Sequence, residues 1–213
     1  MPARIPNNVA GVPIVFVSVH QCGRSAEQEL LITRREQEVT VNTKTAPGRR
    51  DLRFDSYDEL LSDAQKLADG EVMLVGNWTL GQIFQHLATA YNGSIDGLNF
   101  KVSWIIKVMA RLLMKKKFLY GQMPSGFQIP EKNRAEFVPE DSTSIETALA
   151  ALKAAVHRLQ TESQRVVHPV LGELSRDEWD NWHWRHAEMH MSFAVPVTEN
   201  ASDREAAATG GEK

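Results

Sequence analysis

The sequence has only one cysteine, Cys22, among its 213 residues. No disulfide can form within the chain, and a zinc cluster built from thiolates is excluded. Any transition-metal site must therefore use imidazole and carboxylate ligands. A single cysteine also fits a reducing compartment, so we predict a cytoplasmic protein.

Long apolar runs and an excess of basic charge are also missing. No stretch approaches the roughly 20 apolar residues that a membrane-spanning helix requires. The apolar segment Val9–Val19 contains a proline and is not followed by a cleavage site, so we do not interpret it as a signal peptide. The 24 Lys and Arg residues are outnumbered by 27 Asp and Glu residues, which argues against a nucleic-acid partner.

What the sequence does contain is helical periodicity. Four segments place apolar residues at i, i+3 and i+4 spacing, each behind a capping box with Ser or Thr at its start. The capping residues are Ser56, Thr79, Thr143 and Ser175. No set of strands is evident. The pattern predicts an all-α fold, a four-helix bundle with a long crossover connection between the second and third helices.

The crossover connection, roughly residues 99–141, is expected to contain an extra helix and a loop. Val102–Phe118 is apolar and basic and is predicted to be helical. It is either a helix that lies on a membrane surface or a crossover helix packed on the bundle with its lysines in solvent. We favour the second interpretation and predict no membrane contact. The proline-containing segment Met123–Pro139 is expected to be a connecting loop rather than a lid.

The two ends of the chain lack these patterns. We predict that residues 1–50 form a disordered N-terminal extension, that residues 51–197 form the helical domain, and that residues 198–213 form a disordered tail.

Histidines lie where a bundle helix is normally apolar. His183, His186 and His190 fall within about 60° of one another on the fourth predicted helix. His86 lies at the edge of the apolar face of the second helix, which can face the fourth across the core. Buried imidazoles must be hydrogen-bonded or bound to metal. Core histidines that satisfy one another are one interpretation, and a divalent metal site is the other.

The metal interpretation uses His86 and two histidines of the fourth helix. His186 and His190 have the i, i+4 spacing of a zincin helix, but Ala187 stands where the catalytic glutamate would follow, so a protease is not supported. His183 could replace His186, or serve as a supporting or acid/base group. Three histidines leave positions for water or substrate and suit zinc, nickel or iron. No catalytic residue is assigned.

The chain from about Leu52 to Pro196 resembles the DinB-like (YfiT-like) superfamily of metal-binding four-helix bundles, and more narrowly a bacterial branch of unknown function. The matching pieces are RRDLRFDSYDELLSDAQKLA, GNWTLGQIFQHLATAYNGSIDG, MPSGFQIP, HPVLGELSRDEW and RHAEMHMSF. The resemblance implies a divalent metal held by His86, His186 and His190. It also implies a translation start near Val41, because branch members begin close to VNTKTAPGRR. Residues 1–40 would then be an over-extended gene prediction, and the alternative is a translated extension.

The resemblance also implies a function. Members of the superfamily include metal-dependent enzymes that act with low-molecular-weight thiols such as mycothiol or bacillithiol. By this resemblance the protein would be a thiol-dependent transferase or isomerase with a small-molecule substrate. The alternative is a non-enzymatic metal- or ligand-binding bundle. A homodimer is a further expectation for a small bundle.

Overall fold

The computed structural model describes residues 40–98, 102–126 and 137–197, and most of these residues are helical. The expectations for residues 1–39 and 198–213 therefore fall outside the described residues. In chain order the elements are α1 (Tyr57–Asp69), β1 (Val72–Leu74), α2 (Leu80–Asp96), α3 (Trp104–Met109), a π-helical turn (Ala110–Met114), α4 (Lys115–Tyr120), α5 (Ile145–Thr161), α6 (Arg176–Met191) and β2 (Ala194–Pro196). The all-α class is confirmed, with two short strands in addition. Among the described residues, no helix combines the length and the hydropathy needed to cross a membrane.

Three of the four predicted helix starts agree with the structure. The side chain of Ser56 accepts the backbone N–H of Glu59, and complete capping boxes join Thr79 to Gln82 and Ser175 to Glu178. These bonds satisfy N–H groups that have no partner within the helix.

The predicted start of the third helix is wrong by one residue. The cap of α5 is Ser144, whose side chain accepts the N–H of Thr147. The hydroxyl of Thr143 donates instead to the carbonyl oxygen of Glu140, 2.7 Å away. Thr143 therefore belongs to the preceding turn, which competes for its side chain.

One hydrophobic core joins α1, α2, α5 and α6. Its most deeply buried large side chains are Leu60, Leu67, Ile83, Phe84, Leu87, Tyr91, Leu152, Leu159 and Met191. Burying one such apolar side chain contributes about 1.5–3 kcal/mol. The broadest contact between helices is that of α2 with α5. Gly81 permits a close approach at its start, because a Cβ atom there would overlap the carbonyl oxygen of Thr143.

The strands, which the sequence analysis did not predict, form a small antiparallel pair. Val72 lies opposite Pro196, and Leu74 lies opposite Ala194. Three residues are too few to display the alternation that identifies a strand in a sequence. The pair ties the end of α6 to the connection between α1 and α2, and it thereby places α6 relative to α2.

Residues 40–50 lie against the helices, in contrast to their assignment to the extension. The compact unit begins at Thr40. The Arg49 guanidinium donates to the Ser192 hydroxyl and to the carbonyl oxygen of Met189. Arg50 forms an ion pair with Asp63 and donates to the carbonyl oxygen of Met191. The two arginines thus satisfy carbonyl groups at the C-terminal end of α6, where the helix itself supplies no donors.

Candidate metal centre

Three histidines from two helices converge on one point. The Nε2 atom of His186 lies 3.3 Å from Nε2 of His86 and 3.1 Å from Nε2 of His190. Each ring offers a ligand atom, and these three atoms all lie within 4.8 Å of one another. The rest of the described chain contains no comparable group of His, Cys, Asp and Glu side chains. The residues that the sequence analysis selected as ligands are therefore neighbours in space.

The hydrogen bond of His86 determines its tautomer. Its Nδ1 atom lies 2.7 Å from the carbonyl oxygen of Phe137. A carbonyl oxygen can only accept, so Nδ1 carries the proton and the lone pair of Nε2 faces the other two histidines. Metal-binding histidines commonly donate their second nitrogen to a carbonyl or carboxylate in this way.

The three rings are neutral at ordinary pH. Burial lowers the pKa of His86 to about 4. Burial, and then repulsion from the neighbouring imidazoles, holds the pKa values of His186 and His190 well below the usual value. The neutral imidazole is the form that coordinates a metal. Burial therefore keeps all three rings in the neutral form that binds a metal.

Two tryptophans form the walls of the site. The Trp78 ring is parallel to the His190 ring, with centroids 5.1 Å apart, and it meets His86 edge-on at 4.9 Å. The Trp182 ring lies 4.7 Å from that of His186. These indoles hold the imidazoles in place and exclude water from two sides, which strengthens electrostatic interactions at the centre.

His183 stands apart from the other three histidines. Its Nδ1 atom lies 2.9 Å from the Tyr57 hydroxyl. That hydroxyl donates its proton to Asp180 at 2.6 Å and can therefore only accept from His183. The His183 ring stacks on Trp179 at 5.4 Å and is completely buried. Its Nε2 atom has no hydrogen-bond partner. In this arrangement His183 packs behind the centre, one helical turn from His186, and does not contribute a ligand atom to the group.

Sequence reasoning missed a buried ion pair on the same helix. The sequence analysis assigned no role to Glu188, which follows His186 by two residues. It is buried, forms an ion pair of 2.8 Å with Arg185, and accepts the backbone N–H of Phe54. Burial raises the pKa of Glu188 to about 7. The i, i+3 spacing of Arg185 and Glu188 was the signal that could have revealed the pair.

His168 was also missed, because it lies in the loop before α6. Its ring packs against Trp179 at 5.2 Å and Trp182 at 5.0 Å. Its Nδ1 atom accepts the backbone N–H groups of Val170 and Leu171. Burial lowers the pKa of His168 to about 4. His168 thus supports the tryptophan that touches His186, and no sequence pattern indicated this.

Fold and site together define a helical protein with a neutral cluster of three histidines between two of its helices, two of the rings buried and that of His190 partly buried. The chain belongs to the family described as "Protein of unknown function (DUF1569)", whose family model matches residues 46–197. No curated protein and no solved structure matches the chain significantly. The family description states no activity, so the function has to be argued from the site.

Proposed function

We propose that the chain binds one divalent transition metal through His86, His186 and His190. The observation that carries this proposal is the convergence of the three Nε2 atoms. Zinc–nitrogen bonds of about 2.0–2.1 Å separate two ligand nitrogens by about 3.3 Å in a tetrahedral site and about 2.9 Å in an octahedral one. The distances of 3.3 and 3.1 Å around His186 fit this range. Zinc and nickel are the metals we favour, with iron as a further candidate.

Hydrogen bonding alone satisfies the cluster poorly. His86 uses its proton on Phe137 and turns a lone pair toward His186. If His186 is protonated on Nε2, its buried Nδ1 lone pair has no partner; if it is protonated on Nδ1, that N–H has none and two lone pairs face each other. The Nδ1 atom of His186 lacks a partner in either tautomer and would lack one with a metal on Nε2 as well, so what favours a cation is the lone pairs that face each other at Nε2. A cation would accept all three Nε2 lone pairs at once.

We propose further that α1, α2, α5 and α6 form a DinB-like four-helix bundle, with the α3–α4 segment in its crossover connection. The shared core of these four helices and the resemblance described above support this. By the same resemblance, the protein is a metal-dependent transferase or isomerase that uses a low-molecular-weight thiol. A divalent metal with an open position supplies the chemistry, because it lowers the pKa of a coordinated thiol or water. The chain's own contribution is to hold the neutral ligands and to exclude water through Trp78 and Trp182.

Elemental analysis of protein purified without an affinity tag tests the metal site. Close to one metal per chain is expected, with its loss in His86→Ala and in His190→Ala. His157→Ala is the matched control, since His157 is an exposed histidine on α5, and this variant should retain the metal. Absence of metal after reconstitution with zinc and with nickel would contradict the proposal.

A non-enzymatic metal-binding protein is the second candidate. It is favoured by the engagement of two carboxylates on α6, since Glu188 pairs with Arg185 and Asp180 accepts from Tyr57. The two candidates differ in turnover. An enzyme, once loaded with metal, should either join a thiol cofactor to an electrophilic small molecule or isomerise that molecule and release the thiol unchanged, and His86→Ala should abolish both reactions. A binding protein should hold the metal without any such reaction.

A further inference from the structure

The helical segment Trp104–Tyr120, here called the peripheral helix, presents apolar side chains to solvent. It comprises α3, the π-helical turn and α4 without a break. Leu112 is 77% exposed, Trp104 72% and Leu113 69%. The other large apolar side chains that it exposes are Ile105, Ile106, Val108, Met109 and Tyr120. The expectation of a crossover helix that buries its apolar residues on the bundle therefore fails for most of this segment.

The peripheral helix is attached to the rest of the protein by few residues. Ala110 and Leu119 are its buried members, and they pack with Leu171 and Trp182. Lys115 forms an ion pair of 2.8 Å with Glu178 on α6. The helix is thus held in place on α6 while its opposite face remains apolar. Ile105, Met109, Leu112 and Leu113 are all more than half exposed, although the π-helical turn at Ala110–Met114 interrupts the regular α-helical spacing between them.

The charge of this region differs from that of the whole chain. Residues 102–126 contain no Asp or Glu, whereas the full sequence has a net charge of −3. The basic residues of the segment are Lys107, Arg111, Lys115, Lys116 and Lys117. A continuous apolar face of this kind marks an interaction site, and its partner must tolerate a concentrated positive charge.

We propose that the peripheral helix docks on an anionic lipid surface, with its apolar face in the outer acyl region and the exposed Lys116 and Lys117 among the headgroups. Such a surface supplies both negative charge and an apolar layer to a helix that lies in its plane. Trp104 at one end suits the interfacial zone. A second copy of the chain fits less well, because paired peripheral helices would bring two sets of cations together without an acidic residue between them. This inference is independent of the metal proposal, since no metal ligand takes part.

Co-sedimentation of the full chain with vesicles tests the docking surface. Vesicles of phosphatidylcholine alone are compared with vesicles that also contain phosphatidylserine, at low and at high salt. Binding is expected only to the anionic vesicles and should weaken as salt screens the lysines. Equal binding to both kinds of vesicle, or binding to neither, would overturn the proposal.

Variants assign the binding to the helix. Leu112→Glu is expected to weaken binding at least about tenfold, because it removes one buried leucine side chain from the lipid contact. Lys116→Gln should weaken it about fivefold. The matched controls are Val167→Glu, where the native valine is 60% exposed outside the helix, and Lys153→Gln on the exposed side of α5. Neither control should change binding, and all variants should keep the helical circular dichroism of the wild type.

Two outcomes would overturn the proposal, one by moving the lipid contact elsewhere in the chain and the other by replacing the lipid with a second copy. If the controls lose binding as much as the helix variants, or if none of the variants does, the lipid contact lies elsewhere in the chain. If the protein ignores vesicles but sediments as a dimer that Leu112→Glu dissociates, a second copy covers the helix.

Discussion

The histidine centre and the peripheral helix depart from the burial rule in opposite directions. At the centre, the polar rings of His86 and His186 are buried between α2 and α6. On the peripheral helix, Leu112 and Leu113 face solvent. Folding alone favours neither arrangement, because buried polar groups and exposed apolar patches both raise the free energy of the isolated chain. This is why we propose a binding partner for each region, a cation in one case and a lipid surface in the other.

The largest expected effect is the stabilisation of the folded chain by metal bound at the histidine centre. A metal present at about a thousand times its dissociation constant stabilises the folded chain by about 4 kcal/mol. Thermal unfolding with zinc should therefore occur at a clearly higher temperature than with a chelator. The difference should vanish in His86→Ala and persist in His157→Ala. An equal response of these two variants would show that zinc acts elsewhere.

Acid should lower the free energy of unfolding through a buried histidine next to the centre, His168. Burial lowers the pKa of His168 to about 4 in the folded chain, against about 6.5 for an ordinary histidine. The unfolded chain therefore binds more protons between these values, so stability present above pH 6.5 is lost as the pH falls toward 4. This one group accounts for about 3 kcal/mol of that loss.

Denaturant titrations of metal-free protein between pH 7 and pH 4 measure this loss. In His168→Gln the free energy of unfolding should fall by about 3 kcal/mol less over this pH range than in the wild type, because no titrating ring remains at residue 168. The control is His157→Gln, which removes an exposed ring and should leave the slope as it is. A wild-type slope in His168→Gln would mean that the ring titrates normally.

A smaller loss of stability should follow from adding a methyl group at Gly81, where the start of α2 closely approaches the backbone of Thr143. Gly81→Ala places a methyl group against the carbonyl oxygen of Thr143, which belongs to the backbone and cannot rotate away. The free energy of unfolding should fall by about 2 kcal/mol, despite the better helix propensity of alanine. In Gly93→Ala on the same helix, the nearest atoms to the new methyl group belong to the Leu98 side chain, which can move as backbone cannot, so this control should lose less. Denaturant unfolding of the two variants makes the comparison, and equal losses would contradict it.

The sequence was most informative where local rules decide the outcome. Thr79 with Gln82 and Ser175 with Glu178 identified two helix starts, because a capping box depends only on neighbouring residues. The spacing of His186 and His190 placed both rings on one face for the same reason. Placing His86 next to them required a fold prediction, namely that the second and fourth helices of a bundle can face each other across the core.

Long-range contacts were what the sequence could not predict. Arg49 and Arg50 bond to the end of α6, about 140 residues away along the chain, and no local pattern specifies such a partner. The strands β1 and β2 are defined by each other rather than by their own residues. The sequence analysis favoured packing the apolar face of the peripheral helix on the bundle, whereas that face is exposed. An apolar stripe indicates that some surface covers it, but not whether that surface belongs to the same chain.

The smallest expected effect is the change in stability when an exposed leucine of the peripheral helix is truncated, compared with a leucine of the buried core. Leu112→Ala on the peripheral helix should change the free energy of unfolding by less than about 0.5 kcal/mol, because its side chain is 77% exposed and leaves no cavity. Leu87→Ala, its matched control in the fully buried core of α2, should cost about 2–5 kcal/mol. Denaturant unfolding measures both. A loss at Leu112 comparable to that at Leu87 would mean that the leucine is covered in the free protein, and the peripheral helix would then be part of the fold rather than a surface reserved for a partner.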